Sequence, residues 1–302
     1  MILATGGMNL EQQNRMTVHE LERKACEIRH FLLEMTCAAG NAHIGGALSA
    51  CDALTALYYR YLNFHPENCA SPDRDRFILS KGHCGDLLYA ILADLGFYCK
   101  EDLLREFRHS DGRWGEHPNR LHNPGIEVST GSLGHGLSVA IGMAQAGRID
   151  SQNYRVFCMT GDGELQEGSN WEAIMFAGQH AYGNLILLVD HNGAQGTRLT
   201  TEICDDHLLS LRMQSFGWEV REVEGNNMSA VCAAFDALPL PDAETKRAPI
   251  CLILNTKKGR GVDFFENDPA NCHAASLSGE KLAAAHRSVD KAFTNAAEGE
   301  DA

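Results

Sequence analysis

Two side chains with oxygen donors follow two short apolar runs of this sequence, and a glycine-rich segment lies beside the first of them. Asp162 comes three residues after the run 156–159, and Asn192 comes three residues after the run 185–189. The two positions are 30 residues apart (192 − 162), which leaves room for one crossover helix between two parallel strands. Carboxylate and amide oxygens suit Mg²⁺, and the backbone amides of a glycine turn such as 161–168 suit phosphate oxygens. The pattern therefore predicts a magnesium diphosphate site at the carboxyl ends of two strands.

The predicted metal site needs more ligands than these two side chains, because Mg²⁺ prefers six oxygens in near-octahedral geometry. We expect the backbone carbonyl of Ala194 to supply a third protein ligand, and the diphosphate to supply two more. The backbone amides at the start of the next helix are expected to face the phosphates. They belong to Gly161, Asp162, Gly163 and Glu164. For the Asp-Gly dipeptide alone, a tight turn in which the aspartate caps a helix is the structural alternative.

Four histidines lie in glycine-rich or irregular stretches of the chain: His43, His83, His117 and His273. Histidine can donate to hydroxyl groups, bind phosphate when it is charged, and move protons near neutral pH. Each of the four alone is more typical of an ordinary loop or capping residue. Together they are candidates for a polar substrate site.

Residues 130–136 (Thr-Gly-Ser-Leu-Gly-His-Gly) superficially resemble a dinucleotide-binding fingerprint. The order of the glycines is G-x-x-G-x-G, however, and no strand-like run precedes them at the usual distance. A dehydrogenase of the Rossmann type is therefore disfavoured. A backbone loop that approaches a flat ligand ring stays open.

Helical and strand-like periods alternate along the chain and predict the elements that position these groups. A capping box of Thr17 and Glu20 begins a helix over 17–35, and residues 108–127 have no period and predict a long loop. Strands are predicted within 73–79, 153–159, 185–189, 218–223 and 250–254, and further helices at 45–57, 87–95, 137–146, 171–180, 208–216, 230–238 and 279–293. This alternation predicts an α/β fold, a three-layer doubly wound parallel sheet. We expect one domain, 1–302, with frayed ends at about 1–14 and 295–302.

The charge of the chain restricts its partners. The 302 residues include 26 Lys and Arg against 40 Asp and Glu, a formal charge of −14. Such a chain is unsuited to binding nucleic acid or anionic membranes, so an anionic ligand must meet local cations, backbone amides or a metal. No apolar run approaches the length of a membrane span, and the polar N-terminus lacks the core of a signal peptide. The 11 cysteines are dispersed without a C-x-x-C pair, which is typical of reduced thiols in a cytoplasmic protein.

Six ordered segments give the chain a resemblance to one family. They are residues 42–46 (AHIGG), 75–83 (DRFILSKGH), 125–134 (GIEVSTGSLG), 161–168 (GDGELQEG), 216–218 (FGW) and 256–262 (TKKGRGV). Over about residues 15–275 the chain resembles the N-terminal, thiamine-diphosphate-binding section of transketolases in its separately encoded form. The resemblance implies the thiamine diphosphate-binding (PP-type) fold. It also implies thiamine diphosphate and Mg²⁺ (or Ca²⁺ or Mn²⁺) as cofactors.

The resemblance assigns roles to the residues already singled out. It implies metal ligands at Asp162, Asn192 and the carbonyl of Ala194. It implies cofactor contacts at His83, Gly131, Ser132, Leu133, Gly161, Asp162, Gly163, Glu164, Asn192 and His273. The implied catalytic set is His43, His83, His117, His273 and Glu167. In that set His43 and His117 face the donor ketose, and Glu167 belongs to a carboxylate relay across a subunit interface.

The implied activity is that of a transketolase-type glycolaldehyde transferase, which passes a two-carbon ketol unit from a ketose, expected to be phosphorylated, to an aldose. The activating glutamate and the arginines that hold a sugar phosphate lie in the pyrimidine-binding domain of such enzymes, for which these residues leave no room. We therefore expect a second subunit with the pyrimidine-binding and C-terminal domains, an α₂β₂ assembly, and no activity without that partner.

Three other functions stay open at this point. The α subunit of a 2-oxo acid dehydrogenase also binds the diphosphate and the metal, but it lacks the four-histidine set. Sugar synthases of the deoxyxylulose phosphate type share several segments, although they normally carry all their domains in one chain. A non-catalytic assembly subunit is disfavoured because Asp162, Asn192 and the four histidines are all present.

Overall fold

The computed structural model describes residues 16–196, 198–204, 207–240 and 246–294, so the predicted frayed ends lie outside the described residues. The helices are α1 (Val18–Ala38), α2 (Ile44–Ala56), α3 (Gly85–Asp94), α4 (Lys100–Glu106), α5 (Gly136–Ile149), α6 (Gly168–His180), α7 (Thr200–Ile203), α8 (Leu209–Ser215), α9 (Met228–Asp236), α10 (Asp263–Glu266) and α11 (Gly279–Ala292). No helix among these is long and apolar enough to cross a membrane.

The strands are β1 (Arg76–Leu79), β2 (Val156–Gly161), β3 (Leu185–His191), β4 (Ala194–Gln195), β5 (Arg198–Leu199), β6 (Glu219–Glu224) and β7 (Ile250–Asn255). Five of them form a sheet in the order β1-β2-β3-β7-β6, and every neighbouring pair in it is parallel. The remaining two, β4 and β5, form a small antiparallel hairpin. The carboxyl ends of β2 and β3 lie side by side, since Gly161 pairs with Asp190.

Alternate side chains of the central strands enter two separate cores on the two faces of the sheet. In β2, Phe157 and Met159 pack into the core with α1, α2, α3, α9 and α11. Val156 and Cys158 pack into the other core with α5, α6 and α8. This period of two follows from strand geometry, and burial on both faces explains why the strand sequences are continuously apolar. The predicted three-layer α/β architecture is confirmed.

A buried ion pair joins the first two helices. Arg29 of α1 donates from Nη1 to Asp52 Oδ1 at 2.8 Å and from Nη2 to Asp52 Oδ2 at 2.7 Å. The Arg29 side chain is fully buried, and burial acts against its charge, but Asp52 holds the pKa of the guanidinium above its ordinary value. Asn226, before α9, donates to the same carboxylate at 2.8 Å. Loss of one partner from such a pair leaves a buried charge and costs about 3–5 kcal/mol.

The boundaries of the main elements agree with the predicted periods. Helix α1 begins with the predicted capping box, in which the Thr17 hydroxyl accepts from the Glu20 amide and the Glu20 carboxylate accepts from the Thr17 amide. The long loop predicted at 108–127 is present and extends to the start of α5. Helices α4, α7 and α10 and the β4–β5 hairpin were not predicted. These helices are shorter than two full turns, and each strand of the hairpin has two residues.

Candidate functional site

Asp162 follows directly after β2 and is fixed by three hydrogen bonds. Its Oδ1 accepts from the Gly163 amide at 2.8 Å, and its Oδ2 accepts from the Gly193 amide at 2.9 Å and the Thr200 hydroxyl at 3.0 Å. The residue is 4% exposed. Burial, and then the charge of Asp190, raise the pKa of the Asp162 carboxyl above its ordinary value. A cation at this position would relieve both effects.

Asn192 follows β3, so the parallel pairing of β2 and β3 places it at the same edge of the sheet as Asp162. Its Nδ2 donates to Asp190 Oδ2 at 2.9 Å, which orients the amide, and its Oδ1 accepts from the Ala194 amide at 3.2 Å. The carbonyl of Ala194, in β4, accepts from Lys258 Nζ at 3.3 Å. Since Asp162 accepts from the amide of Gly193, between Asn192 and Ala194, the three predicted metal ligands belong to one local hydrogen-bonded arrangement.

No group of three or more His, Cys, Asp or Glu side chains in the described parts of the chain is arranged to hold a metal ion. The predicted site is of a different kind, because its ligands are one carboxylate, one amide oxygen and one backbone carbonyl. A set of hard oxygens that leaves positions for phosphate and water is what Mg²⁺ prefers.

Two buried lysines that line the cavity, Lys81 and Lys258, were omitted from the site by the sequence prediction. Lys81 forms an ion pair with Asp190; burial opposes its charge, but Asp190 holds the pKa of the ammonium above its ordinary value. Lys258 is 2% exposed and, among the described residues, has no carboxylate within ion-pair distance. Its Nζ lies 3.5 Å from His273 Nδ1. Burial, opposed by the thiol of Cys272 and assisted by Lys81, lowers the pKa of Lys258. Within the described part of the chain, Lys258 is therefore a buried cation with no anion of its own.

A cavity of about 650 Å³ opens at this edge of the sheet. Its lining includes Gly46, Lys81, His83, His117, Gly131, Leu133, Gly161, Asp162, Gly163, Glu164, Glu167, Asn192, Ala194, Lys258 and His273. A Cβ atom added to Gly161 would meet no protein atom within 4 Å, so the backbone there faces open space. A glycine backbone, two lysines and oriented oxygens fit a diphosphate with a divalent metal.

The four predicted histidines form one group, the histidine cluster (His43, His83, His117 and His273). The ring centroid of His43 lies 4.9 Å from that of His273, 5.7 Å from His83 and 6.4 Å from His117. Three of the rings line the cavity, and His43 packs against those three. They come from four separate parts of the chain: the start of α2, the turn before α3, the long loop and the segment after α10.

The environment of the cluster favours neutral imidazoles. Burial and the neighbouring Lys258 lower the pKa of His273 to about 4. Burial, together with Lys81 and the adjacent histidines, lowers the pKa of His83 well below its ordinary value. Burial also lowers the pKa of His43. At neutral pH these three rings can each donate one hydrogen bond and accept another, which suits sugar hydroxyls.

The remaining predicted residues have different positions. Gly131, at φ 148°, packs close to His117, and Leu133 lines the cavity with it. Ser132 lies between them with an exposed side chain and is not part of the cavity lining. Glu164 is buried and accepts from the amides of Gly134 at 3.0 Å and Gly161 at 3.2 Å, so it joins the 130–134 loop to the end of β2. Glu167 is exposed at the cavity edge, directly before α6.

Comparison with known sequences gives one family. Residues 21–294 match the model of the transketolase, thiamine diphosphate-binding domain. The chain is 38% identical over 255 residues to an apulose-4-phosphate transketolase subunit of Actinobacillus succinogenes, a match that covers 84% of this chain and 90% of the relative. It is also 38% identical over 275 residues to the 6-deoxy-6-sulfo-D-fructose transketolase subunit SqwG of a Clostridium species, covering 90% of this chain and 97% of the relative.

Solved structures of transketolases share the fold. A transketolase of Campylobacter jejuni superposes with a TM-score of 0.77 and 26% identity over 96% of this chain. A transketolase of Pichia stipitis in complex with sedoheptulose 7-phosphate gives a TM-score of 0.77 and 27% identity over 92% of this chain. The chain spans 48% and 44% of the length of these two proteins, respectively. It corresponds to less than half of each.

Proposed function

The chain belongs to the transketolase thiamine diphosphate-binding domain family, as its sequence predicted, and we propose that it is the diphosphate-binding subunit of a two-chain transketolase. Relatives that it covers almost completely are named as transketolase subunits, whereas the solved transketolases are about twice as long. This difference in length supports a division of the enzyme between two chains. A cytoplasmic location agrees with 11 free thiols.

One observation carries the proposal: the histidine cluster stands beside a cavity whose floor holds Asp162 and Asn192. A diphosphate and metal site alone would fit many thiamine diphosphate enzymes. Neutral imidazoles grouped next to it add donors and acceptors for several hydroxyl groups at once. A polyhydroxylated substrate, such as a ketose, needs this combination.

The residues present fit the two cofactors. We assign the divalent metal to Asp162, Asn192 and the carbonyl of Ala194, and its oxygen ligands favour Mg²⁺ over softer metals. The diphosphate is assigned to Lys258, His273, His83 and the amides that follow Gly161. Thiamine diphosphate, when bound, supplies the nucleophilic carbon that makes cleavage beside a ketose carbonyl possible. All other tasks fall to the protein.

Those tasks are orientation and proton transfer. The imidazoles of His43 and His117 are assigned to the hydroxyl groups of the donor sugar, where a neutral ring can accept a proton and return it later. Lys81, which Asp190 keeps protonated, lines the cavity beside the diphosphate position. Glu167, at the exposed edge of the cavity, is assigned to contacts with another subunit.

The exposed apolar surface of the chain supports a partner. Eight large apolar side chains that are at least one-third exposed lie within residues 136–211: Val139, Ile149, Met175, Phe176, Leu199, Ile203, Leu208 and Leu211. Helix α5 carries one charged side chain, Arg148, and α6 carries one carboxylate, Glu172. A surface low in charge and rich in apolar groups is typical of the core of an interface. Because α6 begins at the cavity edge, we assign the partner subunit to this side, in an α₂β₂ assembly.

The substrate class is a ketose with an anionic end. The two relatives are named for a sugar phosphate and for a sulfonated sugar, both of which carry such a group. Since this chain has a net charge of −14, the cations that bind the anionic end are assigned to the partner subunit.

The test combines the chain with a candidate partner, the chain of the same genome that carries a pyrimidine-binding domain. With thiamine diphosphate and Mg²⁺, the mixture should move two carbons from a ¹³C-labelled ketose phosphate to an aldose, and neither chain alone should do so. Asp162→Ala should abolish transfer, whereas Asp150→Ala, at the exposed end of α5, should not. Turnover of a 2-oxo acid by the mixture, or full turnover by the single chain, would refute the proposal.

A further inference from the structure

Glu116 places a carboxylate directly behind the histidine cluster. It precedes His117 in the long loop, and its Oε1 is in contact with His43 Nδ1; both atoms are buried, and neither has a hydrogen bond among the described residues. The same oxygen lies 3.3 Å from Arg108 Nη1. Arg108 Nη1 also donates to the carbonyl of Asn41 at 2.6 Å. The carboxylate and the guanidinium therefore hold the segment that carries His43 from one side.

The loop is fixed where it carries Glu116. The Tyr89 hydroxyl of α3 donates to the carbonyl of His117 at 2.7 Å. A Cβ atom at Gly85 would lie 2.6 Å from the carbonyl oxygen of Glu116, so only glycine permits this approach of loop and helix. The Arg108 amide donates to the carbonyl of Trp114 at 2.8 Å, and Trp114 is buried. Arg108 has φ 60°, a conformation that costs a non-glycine residue about 1–2 kcal/mol.

Groups that favour and groups that oppose a positive charge on His43 surround its ring. Burial is the largest influence and lowers the pKa of the imidazole; Glu116 acts to raise it, while His117 and Arg108 act to lower it. The buried carboxyl of Asp86, in α3, also interacts with Glu116. The other rings of the cluster, His83 and His273, pack against His43. His43 therefore carries one proton at neutral pH.

The position of that proton follows from the contact with Glu116. A carboxylate oxygen and an unprotonated Nδ1 are both acceptors, and two lone pairs in contact repel each other. A proton on Nδ1 removes this repulsion and gives each of the two buried atoms a hydrogen-bond partner. A neutral imidazole then has no proton on Nε2, so this nitrogen is left as an acceptor.

We propose that Glu116 is a positioning residue that fixes His43 in the Nδ1–H tautomer, so that His43 Nε2 accepts a proton from a hydroxyl group of the sugar. The identity of the hydroxyl group rests on the proposed function, whereas the tautomer of His43 does not depend on it. In the step, the O–H bond breaks, its electron pair stays on the oxygen, and an N–H bond forms at Nε2. Glu116 stabilises the imidazolium that forms. The proton later returns from Nε2 to an oxygen, and the ring is then neutral again.

The test reads the tautomer directly from the full chain labelled with ¹⁵N in its histidine rings. Long-range ¹H–¹⁵N correlation at neutral pH should show His43 with a protonated Nδ1 and an unprotonated Nε2, assigned by loss of the signals in His43→Asn. Glu116→Gln keeps an acceptor and removes the charge, so the tautomer should persist while the pKa of His43 falls. Glu116→Ala removes both, so Nε2–H should become populated. Glu101→Gln, an exposed glutamate of α4, is the matched control and should change neither.

A wild-type His43 with its proton on Nε2, or a tautomer that Glu116→Ala leaves unchanged, overturns the inference whether or not the chain is a transketolase subunit. A second measurement uses the assembled enzyme. Glu116→Ala should lower kcat at least tenfold with KM changed less than twofold, and Glu116→Gln should shift the acidic limb of the pH profile with the pKa of His43. If the assembled enzyme has no transketolase activity, the proposed function fails and the tautomer result stands alone.

Discussion

The buried negative charge of Asp86 lowers the free energy of unfolding, and the size of this effect can be measured. The residue lies in the first turn of α3, is 1% exposed, and uses Oδ1 to accept from the Leu87 amide at 2.9 Å. Its Oδ2 is buried and has no hydrogen-bond partner among the described residues. Burial, with a contribution from the charge of Glu116, raises the pKa of Asp86 from 3.8 to about 7. A shift of this size corresponds to about 4 kcal/mol of lost stability when the group is charged.

The pH dependence follows from the direction of the shift. Well below pH 3.8 the carboxyl is protonated in both the folded and the unfolded chain, so it does not lower the free energy of unfolding. The cost grows as the pH rises towards 7 and is complete above it. Asp86→Asn keeps the shape of the side chain and removes the titration. The free energy of unfolding of the variant, relative to wild type, should therefore increase by about 2–3 kcal/mol between pH 5 and pH 8.

Urea denaturation at the two pH values measures this difference. The buried amide of the new asparagine costs about 1–3 kcal/mol at every pH, so only the change between the two values is decisive. Asp111→Asn, an exposed residue of the long loop, is the control and should give the same relative stability at both. If the stability of Asp86→Asn relative to wild type is the same at pH 5 and pH 8, then Asp86 titrates as in the unfolded chain and the reasoning from burial is wrong.

Three further predictions concern cofactor binding and stability. Gly161→Ala should leave the fold intact but raise the calorimetric dissociation constant for thiamine diphosphate at least tenfold, because its Cβ would project into the cavity. The control Gly142→Ala, on the open face of α5, should leave this constant unchanged. Lys258→Met should weaken the binding of inorganic diphosphate about 10- to 100-fold, since a hydrogen bond to a charged group contributes about 1.5–3 kcal/mol; an unchanged titration would remove Lys258 from the site. Asp52→Asn should lower the free energy of unfolding in urea by about 3 kcal/mol, because Arg29 loses its buried counter-charge.

The sheet could be predicted because its strands are buried on both faces. A short, continuous apolar run such as that of β3, with helical periods on both sides, is typical of a strand that is buried on both faces. Helix α4 could not be predicted in the same way. It has seven residues, and only Leu103 among them is buried, so no period can be recognised. The order of the strands, with β7 between β3 and β6, is a tertiary property that the sequence pattern does not contain.

The site could be predicted where a residue type and its place after a strand were sufficient. Asp162 and Asn192 are of this kind. The two lysines are different, since a lysine is usually exposed and its burial depends on the packing of distant elements. Lys257 and Lys258 are neighbours in sequence, yet Lys257 is exposed and pairs with Glu266, whereas Lys258 is buried. The sequence did contain a signal for the two lysines. An acidic chain needs local cations at any site for an anion, and both Lys81 and Lys258 lie in segments that carry the family resemblance.

The pKa shifts of three groups in the site are consistent with a ligand that carries charges of both signs. Asp162, Lys258 and His273 all have pKa values displaced against their charged forms, and burial is the first cause for each. Away from the cavity, the buried charge of Arg29 has Asp52 as its counter-charge. Asp162, Lys258 and His273 have no such ion pair among the described residues, and all three line the same cavity. A divalent cation beside Asp162 and an anion beside Lys258 and His273 would remove all three penalties, and a metal-bound diphosphate is a single ligand with both charges.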